Sequence, residues 1–87
     1  FDIQINSTKS MTGHLLGAAG VVEAIAALKT IIHKVVPPTI NHFTDDEKID
    51  SRLNFTFNHA VEKDVETAMS NTFGFGGHNA CVLFKKI

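Results

Sequence analysis

The chain has 87 residues, with eight Lys and Arg against nine Asp and Glu, 44% hydrophobic residues, seven Phe, no Trp or Tyr, and one cysteine. Balanced charge excludes a nucleic-acid surface built on excess base, and a lone Cys81 excludes an internal disulfide and suits a reducing, cytoplasmic compartment. A chain this short buries only a modest share of its surface, and with Phe1 in first place and no signal-peptide layout it reads as a piece of a larger protein.

Asp2-Ile-Gln-Ile-Asn6 alternates like a short strand, with Ile3 and Ile5 on one face. Lys9-Ser-Met-Thr-Gly-His14 then puts a cation and an imidazole where a long apolar run begins. That run predicts a helix over about 14–33, apolar almost all round, with Glu23 and Lys29 as its unambiguous charges. Such a helix is buried in a large protein or in a membrane. It approaches the length of a span, about 20 residues, but Glu23 in its middle argues against a membrane. Gly13, Gly17 and Gly20 recur at i, i+4 and i+7 and would let another backbone approach one helix face. Pro37-Pro38 ends the helical pattern and starts an extended connection. Residues 44–52 read as a charged surface loop, 55–57 as a short strand and 60–66 as a polar turn. Residues 67–73 and 79–84 read as strands flanking a glycine loop.

His14 falls at or beside the first turn of the predicted helix, where free N–H groups and the helix dipole disfavour imidazolium. A neutral imidazole can donate a hydrogen bond to a carbonyl or thioester oxygen; the alternative is a capping or packed histidine. Gly74, Gly76 and Gly77 surround Phe75 in a loop longer than the two to five residues of a simple hairpin. Either it is a generous turn, or it brings N–H groups close to a ligand and moves. Phe75, with glycine on both sides, reads as a gate against the alternative of a fixed lid residue, and Phe73 as a packed strand end. A carboxylate in an apolar helix is costly unless it is paired or bound to a cation, unless Glu23 reaches solvent. Nine residues beyond His14 on one helix, Glu23 would lie on nearly the opposite face, whereas Lys9 is free to fold back toward it. His33, His42 and His59 share no metal-ligand spacing. Cys81 sits in a strand of small and apolar residues and reads as an inert buried hydrophobe rather than a nucleophile.

The stretch Asn6-Ser-Thr-Lys-Ser-Met-Thr-Gly-His-Leu-Leu-Gly-Ala-Ala-Gly20, then Val36-Pro-Pro-Thr-Ile-Asn41 and Ser70-Asn-Thr-Phe-Gly-Phe-Gly-Gly-His-Asn79, resembles the β-ketoacyl-acyl carrier protein synthases, in particular the type II elongating enzymes of fatty acid synthesis. The likeness covers nearly the whole chain but only the C-terminal part of a family member. It implies an α/β fold: residues 1–87 as the C-terminal part of a thiolase-like α-β-α-β-α layering, without separate domains, one buried helix packed on a mixed sheet. It also implies a decarboxylative Claisen condensation between an acyl group and malonyl-acyl carrier protein, both borne on phosphopantetheine, with no cofactor required. The nucleophilic cysteine and a second histidine would lie upstream of Phe1. By the same resemblance His14 donates to the malonyl thioester oxygen, Lys9 sets the electrostatics of the site and pairs with Glu23, and the Phe75 backbone N–H forms half of an oxyanion hole. Some relatives imply a sodium or potassium ion at Glu23, Ser70 and Asn71. His78, where relatives carry Thr or His, reads as loop support. The implied partners are acyl carrier protein and a second copy of the full-length protein, with neither nucleic acid nor membrane. A non-catalytic ketosynthase-like subunit and a ketosynthase domain of a polyketide synthase are the alternatives; the end of the chain just past the last strand favours a stand-alone enzyme over an embedded domain.

Overall fold

The computed structural model describes residues 2–87. The first helix, α1 (Lys9–Thr12), lasts one turn because Gly13 takes φ +75° and turns the chain away. His14 and Leu15 belong to no helix, Leu16 stands at φ +52°, and a 3-10 turn (Leu16–Ala18) leads into α2 (Ala19–His33). The helix therefore starts at Ala19 rather than His14. One left-handed residue, Leu16, interrupts an apolar run that composition alone reads as continuous. α2 ends where Lys34 turns left-handed at φ +57° and donates its N–H to the Thr30 carbonyl at 3.0 Å. Thr30 is buried in the last turns, and its hydroxyl is satisfied by the Ala26 carbonyl at 2.9 Å.

β1 (Val35–Val36) pairs antiparallel with β2 (Val61–Glu62), so part of the expected polar turn at 60–66 contributes a short strand. β3 (Thr67–Phe73) and β4 (Asn79–Lys85) form an antiparallel hairpin, in register from Thr67 opposite Lys85 to Phe73 opposite Asn79. α2 packs against this hairpin. Along β3, Ala68, Ser70 and Thr72 are half-buried while their neighbours are exposed, the alternation of a strand covered on one face. Gly20 marks the closest approach: a Cβ there would lie 3.7 Å from Thr72 Oγ1. Gly13 and Gly17 precede α2, and a Cβ on either meets nothing within 4 Å, so the three glycines share no helix face. In place of one mixed sheet there are two antiparallel ladders and two isolated parallel bridges, Gln4 to Asn54 and Thr39 to Phe57. Residues 2–6 and 55–57 form no strand; each is tied by one of those bridges, and Thr56 stands at φ +50°.

The expected burial of α2 holds on one side only. Val21, Ile25, Leu28 and Ile32, spaced i, i+4, i+7 and i+11, form an exposed apolar stripe. The hairpin face turned from α2 is likewise open. It carries Met69, Phe73 and Leu83, together with Cys81, which is exposed rather than buried. Phe73 ends β3 but packs on little. By length and composition Leu16–His33 is apolar enough to cross a membrane. Its α-helix has 15 residues, about 22 Å against the roughly 30 Å of a hydrocarbon core, and it lies along a hairpin.

Candidate active site

A helix of four residues does not hold itself, and α1 has neither a side-chain cap nor a buried residue. Hydrogen bonds to one later segment fix it. The Ser7 N–H donates to Thr39 Oγ1 at 2.8 Å, and the Ile40 N–H donates to Ser10 Oγ at 2.9 Å. Thr39 in turn donates its N–H to the Thr56 carbonyl at 3.0 Å and accepts the Asn58 N–H at 2.8 Å. Buried Thr56 completes the clasp by donating its hydroxyl to Gln4 Oε1 at 2.7 Å. Nothing in the sequence reading foresaw this clasp. Its one local signal is the asparagines Asn41 and Asn58 at positive φ, since Asn tolerates that region better than most residues.

Held in this way, α1 delivers the Lys9 ammonium to the Glu23 carboxylate of α2. The Glu23 side chain is 13% exposed and that of Lys9 37%. The pairing offsets the cost of a carboxylate largely withdrawn from water.

His14 lies exposed between α1 and the 3-10 turn. Its Nδ1 accepts the Leu16 N–H at 3.0 Å. A donor at Nδ1 requires a lone pair there, so the ring carries its proton on Nε2 and presents that N–H outward. Leu15, at φ −87° and ψ +14°, turns the chain so that the Leu16 N–H points back to the ring. The expected dipole argument is thereby replaced. The α2 N-terminus begins five residues further on, and a single backbone N–H, not the helix end, selects the tautomer.

Because Phe73 pairs with Asn79, the glycine loop has five residues, 74–78, at the upper end of ordinary hairpin loops rather than beyond it. Gly76 and Gly77 take φ +78° and +83°, conformations that require glycine. Phe75 opens the turn Phe75–Gly77, so its N–H has no partner within that turn, and its ring is 98% exposed. The Gly20–Thr72 approach puts the start of α2 and the loop end of the hairpin at one end of the fold. Lys9 and His14 precede α2 in the chain, and Phe75 follows β3.

Ser70 faces α2, whereas Asn71 is exposed on the other side of β3, opposite Cys81. Glu23, the carboxylate of the cation site that the resemblance implies, is engaged by Lys9. Among the described residues no three His, Cys, Asp or Glu side chains converge as metal ligands. His42 stacks on Phe57 with centroids 3.6 Å apart and reaches Asp45 at 2.6 Å. In the surface loop, the Arg52 guanidinium holds the Asp50 carboxyl below its ordinary range by direct hydrogen bonding.

Residues 2–43 match the family described as Beta-ketoacyl synthase, C-terminal domain. Over 85 residues the chain is 48% identical to 3-oxoacyl-acyl-carrier-protein synthase 2 of Vibrio harveyi, a match spanning 98% of this chain and 20% of that protein. The chain belongs to the β-ketoacyl synthase family. It is also 49% identical over 83 residues to the chloroplastic 3-oxoacyl-acyl-carrier-protein synthase I of Hordeum vulgare, covering 95% of this chain and 18% of that one. Among solved structures, it superposes with a TM-score of 0.90 and 36% identity on a type II polyketide synthase acyl-carrier protein in complex with its ketosynthase bound to the hexaketide, covering all of this chain and 21% of that one. The α/β architecture is therefore that of a ketosynthase, in the thiolase-like class. This β-ketoacyl synthase chain spans about a fifth of the length of the relatives it matches.

Proposed function

We propose that the chain supplies the malonyl-binding side of a 3-oxoacyl-acyl carrier protein synthase of fatty acid synthesis, with a cysteine outside these residues as nucleophile. The cysteine thiolate takes the acyl group from acyl carrier protein, and the carrier thiol leaves. Malonyl-carrier protein then binds, its carboxylate leaves as carbon dioxide, and the electron pair of the broken C–C bond becomes an enolate on the thioester oxygen. His14 donates its Nε2–H to that oxygen without bringing a charge of its own. The enolate carbon attacks the acyl-cysteine carbonyl, the C–S bond breaks, and 3-oxoacyl-carrier protein and free thiolate result. The Phe75 N–H, with the cysteine N–H, holds the oxyanion formed in that attack. Lys9, engaged by Glu23, shapes the field around His14. Phe75 acts as the gate that orders acyl before malonyl, an order one entrance has to enforce. The full-length protein works as a cytoplasmic homodimer on acyl carrier protein.

One observation carries this reading: the Leu16 N–H on His14 Nδ1, which leaves Nε2–H as the outward donor. The names of the relatives support the reaction class. His14→Ala in the full-length enzyme should cut malonyl decarboxylation and condensation roughly a hundred- to a thousand-fold, while acyl transfer to the cysteine stays near wild type. Equal loss in both half-reactions would show a structural histidine. The likeness to a polyketide ketosynthase favours one second reading, in which the same residues extend a poly-β-keto chain. Product analysis with malonyl-carrier protein decides: repeated condensation without reduction supports the polyketide reading, and a single condensation per cycle supports fatty acid elongation.

A further inference from the structure

The glycine loop is held on both sides of Phe75 by one residue. A Cβ on Gly74 would lie 3.4 Å from both Cβ and the carbonyl oxygen of His78, and that carbonyl accepts the Gly74 N–H. A Cβ on Gly76 would lie 3.8 Å from His78 Cδ2 and 3.9 Å from Nε2, so the imidazole lies against the Gly76 backbone. At Gly77 a Cβ would meet nothing within 4 Å, and the Phe75 ring between these points is almost wholly in solvent. Phe75 therefore brings few contacts of its own to hold the loop shut. The holding contacts are a backbone hydrogen bond and a small ring-on-backbone patch, both at His78.

Resting on the reading of Phe75 as the gate, we propose that His78 is the latch of that gate, a positioning residue that acts through Phe75 and not on substrate. The ring edge, Cδ2 and Nε2, lies within van der Waals reach of position 76 and braces the loop there. A patch of this size contributes a handful of dispersion contacts, enough to bias the closed loop and weak enough to release it thermally. In the unlatched enzyme, malonyl-carrier protein enters before an acyl group is in place. Its carboxylate then leaves as carbon dioxide, and the enolate, lacking an acyl-cysteine to attack, takes a proton from water and leaves as acetyl-carrier protein.

The test uses the full-length enzyme with 4-fluorophenylalanine at position 75. Two readings are taken: the fluorine signal, and acetyl-carrier protein formed per 3-oxoacyl-carrier protein. His78→Ala removes the ring but keeps the main-chain carbonyl. It should raise the uncoupled product about three- to tenfold and move the fluorine signal toward an open state, the scale of losing a few van der Waals contacts. His78→Phe, which restores a ring without nitrogens, should return both readings close to wild type. His78→Thr tests the same point should the alanine variant not fold. The latch is overturned if His78→Ala and His78→Thr change neither reading, or if His78→Phe leaks as much as His78→Ala. Phe75→Ala separates the two ideas. If it leaves the acyl-before-malonyl order intact, the gate fails, while the fluorine signal in the His78 variants still reports whether the loop is held there.

Discussion

The isolated 87-residue chain should not behave as an independent folded monomer. Its accessible surface is 6720 Å², whereas a compact monomer of 9.5 kDa exposes about 5,000 Å². The excess of roughly 1,700 Å² is about twice the ~800 Å² that one partner contributes to a standard protein–protein interface. Apolar side chains stand open in two groups: the stripe Val21, Ile25, Leu28 and Ile32 on α2, and the outer hairpin face with Met69, Phe73 and Leu83. Ala19 and Val36 are the hydrophobic residues that are fully buried among those described, too few to anchor the fold. Purified alone, the chain should self-associate in a sedimentation series and bind a hydrophobic dye. Ile25→Lys with Ile32→Lys breaks the stripe and should shift the isolated chain toward monomer. In the full-length protein the same pair places two charges where the rest of the chain packs and should abolish folding. A wild-type fragment that stays monomeric, melts cooperatively and ignores the dye would refute the reasoning, as would a full-length double variant of normal stability.

Lys9→Ala leaves the Glu23 carboxylate at 13% exposure without its cation and should destabilise the full-length enzyme by about 1–3 kcal/mol in urea unfolding; adding Glu23→Leu should recover part of the loss, and a single-variant cost below about 0.5 kcal/mol would show an idle pair. Gly13→Ala should cost about 1–2 kcal/mol although a Cβ there meets nothing within 4 Å, because φ is +75°. Gly17→Ala, equally open and without a positive φ, should be neutral or stabilising by up to about 1 kcal/mol; equal effects at the two sites would refute the backbone argument.

The β3–β4 hairpin was legible because both strands are long enough for alternation to show, and because the glycines between them admit only a turn. The end of α2 was legible from Pro37-Pro38. Its start was not, since Leu16 at φ +52° is a conformation that no apolar pattern announces. β1 and β2 escaped notice because each has two residues, and their pairing of Val35 with Glu62 is set by chain closure rather than by local preference. At the site, Glu23 asks for a cation on electrostatic grounds alone. That its partner is Lys9, brought there by a clasp on Thr39, is a tertiary fact. The role of Leu16 as donor to His14 lay beyond sequence because no apolar pattern announces the turn at Leu15 either.

The clasp on Thr39 also orders events during folding. The β3–β4 turn closes over five residues and needs only microseconds. The Ile40–Ser10 bond closes over 30 residues, and the Thr56–Gln4 bond over 52. Such distant closures are entropically costly and come late. Lys9 and His14, near the start of the chain, therefore wait for residues 39 and 56 to be made and placed. On the ribosome, Lys9 emerges well before the segments that hold it in place.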